Sequence, residues 1–451
     1  MSGYIKEIRE TLKLGTPMII GQLTTMAMAL TDTVMVGRGV GTDALAAMAF
    51  ALNFMNMPLI GLYGLALATG VDVARAYGGG RSGDLPKILQ HGLVICFFAS
   101  VLVVGVMCVA FWNLYRVDFL GQPPRLIPLA KPYVLYYGAA FVFQLLAGNC
   151  RAYCESQSRP WLPMVVVMGS ILLNALLDWM LIYGTLGLPK MGLRGAGLAT
   201  LISAMAQLFI LIAVIIRNGR LHLTLNRLLH LELERAFIRR HLALGLPAAL
   251  QIGLEISSMS IVALIVGKLG AVTLAAHHVT LQVAGLAFMV PLGLSFAVSI
   301  RVGQAAGAGN GELVRRVCNS SLVFAMAIAC ASSFLLLSFR HLIPQIFTKD
   351  IAVVGMVSSF LVVAALFQLF DDVQCTAMGA LRGLRDVKLP TWIMVLNHWI
   401  ISMPLAWLLC ITLGMGGIGA WIAMAIALAL SATFLTLRLV RVYSAVRLKT
   451  E

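Results

Sequence analysis

Leu14-Gly15-Thr16-Pro17 opens an apolar run that ends at Val36-Gly37-Arg38, and Leu244-Gly245-Leu246-Pro247 opens another that ends at Val266-Gly267-Lys268. At 1.5 Å per helical residue, each run is long enough to cross a hydrocarbon layer of about 30 Å. The likeness continues past both runs. Leu45-Ala46-Ala47 matches Leu274-Ala275-Ala276, Gly64-Leu65 matches Gly293-Leu294, and Val73, Gly78 and Gly80 match Val302, Gly307 and Gly309. Further on, Gly195-Ala196-Gly197 matches Gly417-Ile418-Gly419. The order and spacing are those of one unit present twice in the same orientation. A parallel repeat about an axis along the membrane normal is a transporter architecture.

The composition agrees. Hydrophobic residues make up 60% of the 451, and only 11% are charged, against about 25% in an average soluble protein. Twelve mostly apolar segments fit, at 14–36, 44–76, 89–113, 128–153, 160–184, 193–216, 240–266, 273–306, 316–340, 351–380, 388–410 and 416–440. The expected fold is an all-α integral membrane protein, with twelve transmembrane helices in two pseudo-symmetric six-helix lobes. The expected division is 1–216 for the first lobe, 217–239 for a basic cytoplasmic linker, and 240–451 for the second lobe.

Basic residues set the orientation. Of the 33 Lys and Arg, only Arg38, Arg116, Arg125, Lys131, Lys190, Arg194, Lys268, Arg340 and Lys349 fall on one side. The other side is then cytoplasmic, with both termini on it. The net charge of +15 sits at the ends of apolar segments and suits a membrane surface; nucleic acid is excluded for want of soluble surface. The eight cysteines and the pair His277-His278 show no metal-ligand spacing, so no cofactor is expected.

Six acids fall inside the apolar segments: Asp32, Asp72, Asp178, Glu255, Asp371 and Asp372. Insertion scales put an ionised carboxylate at the bilayer centre at about 2.5–3.5 kcal/mol. Something must offset that cost. Asp72, beside Arg75, and Arg301, at the matching place in the second half, read as helix-end ion-pair partners. Asn174 and Asp178 lie one turn apart on one helical face. With Asp32 they form a carboxylate–amide–carboxylate set if the first and fifth spans face each other. Thr200 adds a hydroxyl and Ala196 a carbonyl. These are hard oxygen donors, suited to Na⁺ or a shared proton. In the second half, Glu255 and Asp371 are placed to hold a cation or a cationic drug. Asp372 points about 100° away from Asp371. Phe288, Phe367 and Gln282 are expected to line the same cavity.

Taken together, Leu30-Thr31-Asp32-Thr33-Val34-Met35-Val36-Gly37, Arg301-Val302-Gly303-Gln304-Ala305-Ala306-Gly307-Ala308-Gly309, Asp371-Asp372-Val373-Gln374 and Gly379-Ala380-Leu381-Arg382-Gly383 resemble the multidrug and toxic compound extrusion (MATE) family, in its NorM-type bacterial branch. The resemblance covers nearly the whole chain. It implies a V-shaped pair of six-helix lobes in a bacterial inner membrane, acting as a monomer. It implies export of organic cations and amphipathic drugs in exchange for Na⁺ or H⁺, and no enzymatic activity. Asp32, Asn174 and Asp178 match the family's acidic and amide positions in spans one and five. Ala196 and Thr200 fall where span six completes a Na⁺ site in relatives, and Glu255 and Asp371 match the second-lobe acids. Phe367 departs from the tyrosine that some relatives carry at that place. Two other readings stand beside this one: a flippase of a lipid-linked precursor in the same superfamily, and a polytopic membrane enzyme. The first calls for basic residues in the cavity, the second for a nucleophile–base or metal set.

Overall fold

The computed structural model describes residues 2–116, 126–221 and 234–447. The middle of the expected linker, 222–233, lies outside them, as does Arg125. Among the described residues there are helices, turns and no strand. Among the described residues, twelve helices are long and apolar enough to cross a membrane. They are α1 (Gly3–Gly39), α2 (Thr42–Gly78), α3 (Asp84–Asn113), α4 (Ile127–Ser156), α5 (Trp161–Tyr183), α6 (Leu193–Arg217), α7 (Arg235–Gly267), α8 (Ala271–Gly307), α9 (Gly311–Ser338), α10 (Ile351–Gly383), α11 (Lys388–Thr412) and α12 (Gly417–Ala445).

Lipid offers no partners to polar groups, and many hydroxyls here are satisfied within their own helix. In α1 the hydroxyls of Thr11, Thr16, Thr24, Thr25, Thr31 and Thr33 each donate to the carbonyl four residues earlier, at 2.6–3.0 Å. Such bonds spend the hydroxyl inside the helix and bend it slightly. Proline and glycine then mark the irregular places. α2 is interrupted at Leu62, one turn after Pro58, whose ring cannot donate to the preceding turn. There Leu62 donates to the Leu59 carbonyl and Leu65 to that of Leu62, both three residues back. α11 carries two π-helical stretches, Leu396–Ser402 and Leu408–Thr412, on either side of Pro404. Within the first, Trp399 Nε1 donates to the Leu254 carbonyl at 3.1 Å and Asn397 Nδ2 to Ser431 Oγ at 2.8 Å.

The sequence reading starts the first apolar run at 14, but α1 begins with the polar turns before it. The difference has a physical cause. Glu7 is buried, and the Arg301 guanidinium of α8 bonds its carboxylate, its carbonyl and the Thr11 hydroxyl. A polar turn so paired can stay helical and sheltered.

The chain divides into two compact units, Met1–Ile19 with Gly78–Gly80 and Leu254–Glu451, and Ile20–Tyr77 with Arg81–Gly253. The boundary cuts through α1 and α7, so each of these helices starts in one unit and ends in the other.

In the first unit, Trp421, Phe360, Phe367, Val266 and Leu361 share a buried cluster. α8 and α10 approach closely at glycines: a Cβ at Gly379 would run into Ser295, and one at Gly383 into the Ser299 carbonyl. The start of α1 lies on α8, where a Cβ at Gly293 would meet the backbone of Ile19 at 2.8 Å.

In the second unit, Val36 of α1, Met55 and Leu59 of α2, Phe111 of α3, Tyr133 and Phe141 of α4, Ile182 of α5 and Ala196 of α6 form one buried cluster. The start of α7 lies on α2, where a Cβ at Gly64 would overlap the backbone of Ala248 and Ala249. Gly64 and Gly293, matched in the sequence repeat, thus play the same part in the two units.

Candidate functional site

Three features bring the end of α1 against the end of α5. Gly39 has no side chain, and a Cβ there would strike the Tyr183 ring at 2.6 Å. Tyr183 Oη donates to the Met35 carbonyl at 3.3 Å. Val36 and Ile182 are fully buried in the same cluster. One turn further in, this packing sets Asp32 opposite Asp178.

The two carboxyl groups lie within hydrogen-bonding reach of each other. Yet Asp32 Oδ1 and both oxygens of Asp178 are buried without a donor. Ionised carboxylates only accept, so two of them in contact repel unless a proton or a cation sits between them. Asn174, one turn before Asp178, is buried as well, and its amide nitrogen has no acceptor. Burying such groups unpaired costs several kcal/mol for a charge, and about 1–3 kcal/mol for an amide.

α6 packs close to this place. A Cβ at Gly195 would meet the Leu181 carbonyl at 2.7 Å, three residues past Asp178. Ala196 and Thr200 are buried on α6, and Thr200 Oγ1 donates to the Ala196 carbonyl at 2.9 Å. Thr200 has thereby used its proton, and any further role falls to its oxygen as an acceptor.

Sequence reasoning missed an aromatic wall beside the pair. Tyr133 of α4 is buried with Asp32 and Asp178 among its charged neighbours. Tyr137 stacks on it with ring centroids 5.9 Å apart, and its hydroxyl donates to Asn56 Oδ1 of α2 at 2.6 Å. The readable signal was two tyrosines one turn apart in an apolar segment, each with a polar tip that needs a partner.

In the other unit, Asp371 is buried, with Glu255 and Asp372 as its charged neighbours. Glu255 is half-buried on α7. Asp372 is fully buried and accepts from Gln368 Nε2 at 2.6 Å. Asp371 and Asp372 thus have different partners. Phe367 is buried edge-on against Trp421, centroids 5.7 Å apart, and Trp421 lies 5.7 Å from the His277 ring. Phe288 is half-buried and Gln282 exposed on α8. Among the described residues no three His, Cys, Asp or Glu gather as a metal-holding group. An ion at Asp32 and Asp178 would be held by carboxylate oxygens, with amide, hydroxyl or carbonyl oxygens alongside. Those are the donors that Na⁺ takes.

Comparison with known proteins identifies the family. The MatE family model matches residues 17–180 and 247–408. The chain belongs to the MATE family. A probable multidrug resistance protein NorM of Mesorhizobium japonicum is 34% identical to this MATE protein, over 97% of this chain and 94% of its own length. Multidrug resistance protein NorM of Aliivibrio fischeri is 32% identical, over 97% of this chain and 95% of its own. Among solved structures, the bent form of the Vibrio cholerae MATE transporter VcmN matches with a TM-score of 0.88, at 18% identity and 99% coverage of both chains. The eukaryotic MATE transporter AtDTX14 matches with a TM-score of 0.87, at 20% identity and full coverage of both. The MATE fold expected from the sequence is the fold of this multi-pass membrane protein.

Proposed function

We propose that this MATE protein is a secondary active multidrug efflux transporter of a bacterial inner membrane. In this reading it works as a monomer with both termini in the cytoplasm, exporting cationic and amphipathic drugs in exchange for Na⁺ or H⁺. The observation that carries the reading is the contact between Asp32 and Asp178, in which Asp32 Oδ1 and both oxygens of Asp178 are buried with no donor. A visiting cation or proton relieves their repulsion, and its departure restores it. Asn174, Ala196 and Thr200 complete the oxygen set on the ion's side, and Glu255 and Asp371 attract the positive cargo. Phe288, Phe367 and Gln282 belong to the cargo's surroundings. The relatives named for multidrug resistance support the choice of cargo.

Antiport needs ion and drug to weaken each other's binding, and that coupling is reciprocal. Each inward elementary charge contributes about 2.3 kcal/mol per 100 mV. The test is efflux of ethidium from proteoliposomes, with a Na⁺ gradient and a pH gradient imposed separately. One gradient alone should drive efflux, and Asp32→Asn should abolish the response to it. Efflux that ignores both gradients removes the reading.

A further inference from the structure

Each of the two glycine-laced crossings carries an ion pair with a buried carboxylate. In the unit that holds α8, the Arg301 guanidinium bonds Glu7 of α1, and also donates to the Glu7 carbonyl and to Thr11 Oγ1, both at 2.6 Å. In the unit that holds α2, Arg240 of α7 lies 3.7 Å from the buried carboxylate of Asp72. At that distance the contact is an ion pair and not a hydrogen bond. His241, also buried, counts Asp72 among its charged neighbours. Asp72 and Arg301 hold matching places in the repeat. The two crossings therefore meet at matched glycines and carry opposite polarity. The acid is on the dock in one (Asp72 on α2) and on the incoming helix in the other (Glu7 on α1).

The inversion has a consequence for pairing. Were the start of α1 to lie on α2 in the equivalent way, Glu7 would face Asp72. Were the start of α7 to lie on α8, Arg240 would face Arg301. Like charges facing each other where solvent is scarce cost energy, so each start fits its own dock and not its neighbour's.

We propose that Glu7–Arg301 and Asp72–Arg240 are two non-interchangeable latches, which hold the starts of α1 and α7 on α8 and α2 and must release during each transport cycle. This inference rests on the transport reading above. Both latches lie at helix ends assigned to the cytoplasmic side, where cargo has to enter. In one phase of the cycle the starts are docked; in the other they lift away.

The test uses the full chain in proteoliposomes. A Cβ placed at Gly15 lies 3.5 Å from that of Ala297, within the span that a disulfide bridges. The double variant Gly15→Cys/Ala297→Cys, oxidised across the crossing, should lose at least tenfold in ethidium efflux and regain it on reduction. The wild-type chain under the same oxidant controls for its own cysteines. Oxidised protein that transports at the reduced rate overturns the proposal. Separately, Ala297→Cys should react at least tenfold faster with a membrane-impermeant maleimide when Glu7→Gln is added, and an unchanged rate also overturns it. Should Glu7→Gln fail to accumulate, the cross-link still decides, since it leaves every charge in place. Labelling needs no cargo. A chain that proves to move no drug therefore defeats the transport reading, while the maleimide rates still judge the latches.

Discussion

Asp32 of α1 and Asp178 of α5 meet carboxyl to carboxyl, and three of their four oxygens are buried with no hydrogen bond from the protein. The packing of Gly39, Tyr183, Val36 and Ile182 one turn away holds the two groups together.

Replacing one acid should separate stability from transport. In Asp178→Asn the new amide can donate to Asp32, which removes the repulsion. We expect thermal unfolding in detergent to occur at the wild-type temperature or above it, and drug efflux to fall to the level of empty liposomes. A variant that both unfolds early and still transports would contradict the assignment on both counts.

The crossing of α2 and α7 should tolerate no added carbon. Gly64→Ala forces apart the backbone at Ala249, and overpacking of this kind costs about 1–3 kcal/mol. Gly105→Ala, at an exposed position of α3 with open space around it, should leave stability unchanged or raise it by up to about 1 kcal/mol. Unfolding temperatures of the two variants, measured side by side, check the contrast.

Asp372 depends on its neighbour one turn back. Gln368→Leu removes the 2.6 Å amide donor from a fully buried carboxylate, which costs about 1–3 kcal/mol or more. We expect a lower unfolding temperature and less folded protein, with efflux per folded molecule unchanged. Asp371→Asn should do the reverse, sparing stability and abolishing efflux of cationic drugs.

A pH effect is expected where the chain enters α7. Glu234 lies just before that span, and its hydrogen bond from Lys87 of α3, at 2.8 Å, holds its carboxyl below the usual value. A depressed folded value means the contact stabilises above the unfolded value, near 4.5. That contribution fades as pH falls through the lower, folded value. The difference in unfolding temperature between wild type and Glu234→Gln should be present at pH 7, shrink in acid, and shrink with added salt, because the pair is exposed. A difference independent of both would show that the ion pair is not its source.

The fold was legible because apolar length and basic ends are strong signals. Each of the twelve segments coincides with one spanning helix; most ends shift by a few residues, and the start of α1 shifts furthest, from 14 to Gly3, where Glu7 finds Arg301. The sequence puts Asp32 near Asp178 only on the condition that the first and fifth spans face each other, and no local spacing supplies that condition; Gly39 and Tyr183 do so in the fold. Tyr133 and Tyr137 are harder to read, since tyrosines in an apolar run look like packing until the partners of their hydroxyls are known. Asp72 and Arg301 were read as helix-end ion-pair partners, but their true partners, Arg240 and Glu7, lie on helices far away in sequence. No local spacing announces such a pairing. The π-helical turns of α11 left no trace in composition beyond Pro404.

The division of α1 between two units also bears on how the chain is made. Its first turns rest on α8, a helix that the ribosome delivers long after α1, when six further spans have been made. Until then Glu7 lacks Arg301, and the start of α1 waits for its dock. A nascent chain stalled before α8 would carry an undocked α1 start, open to proteases, however well its other early helices had assembled.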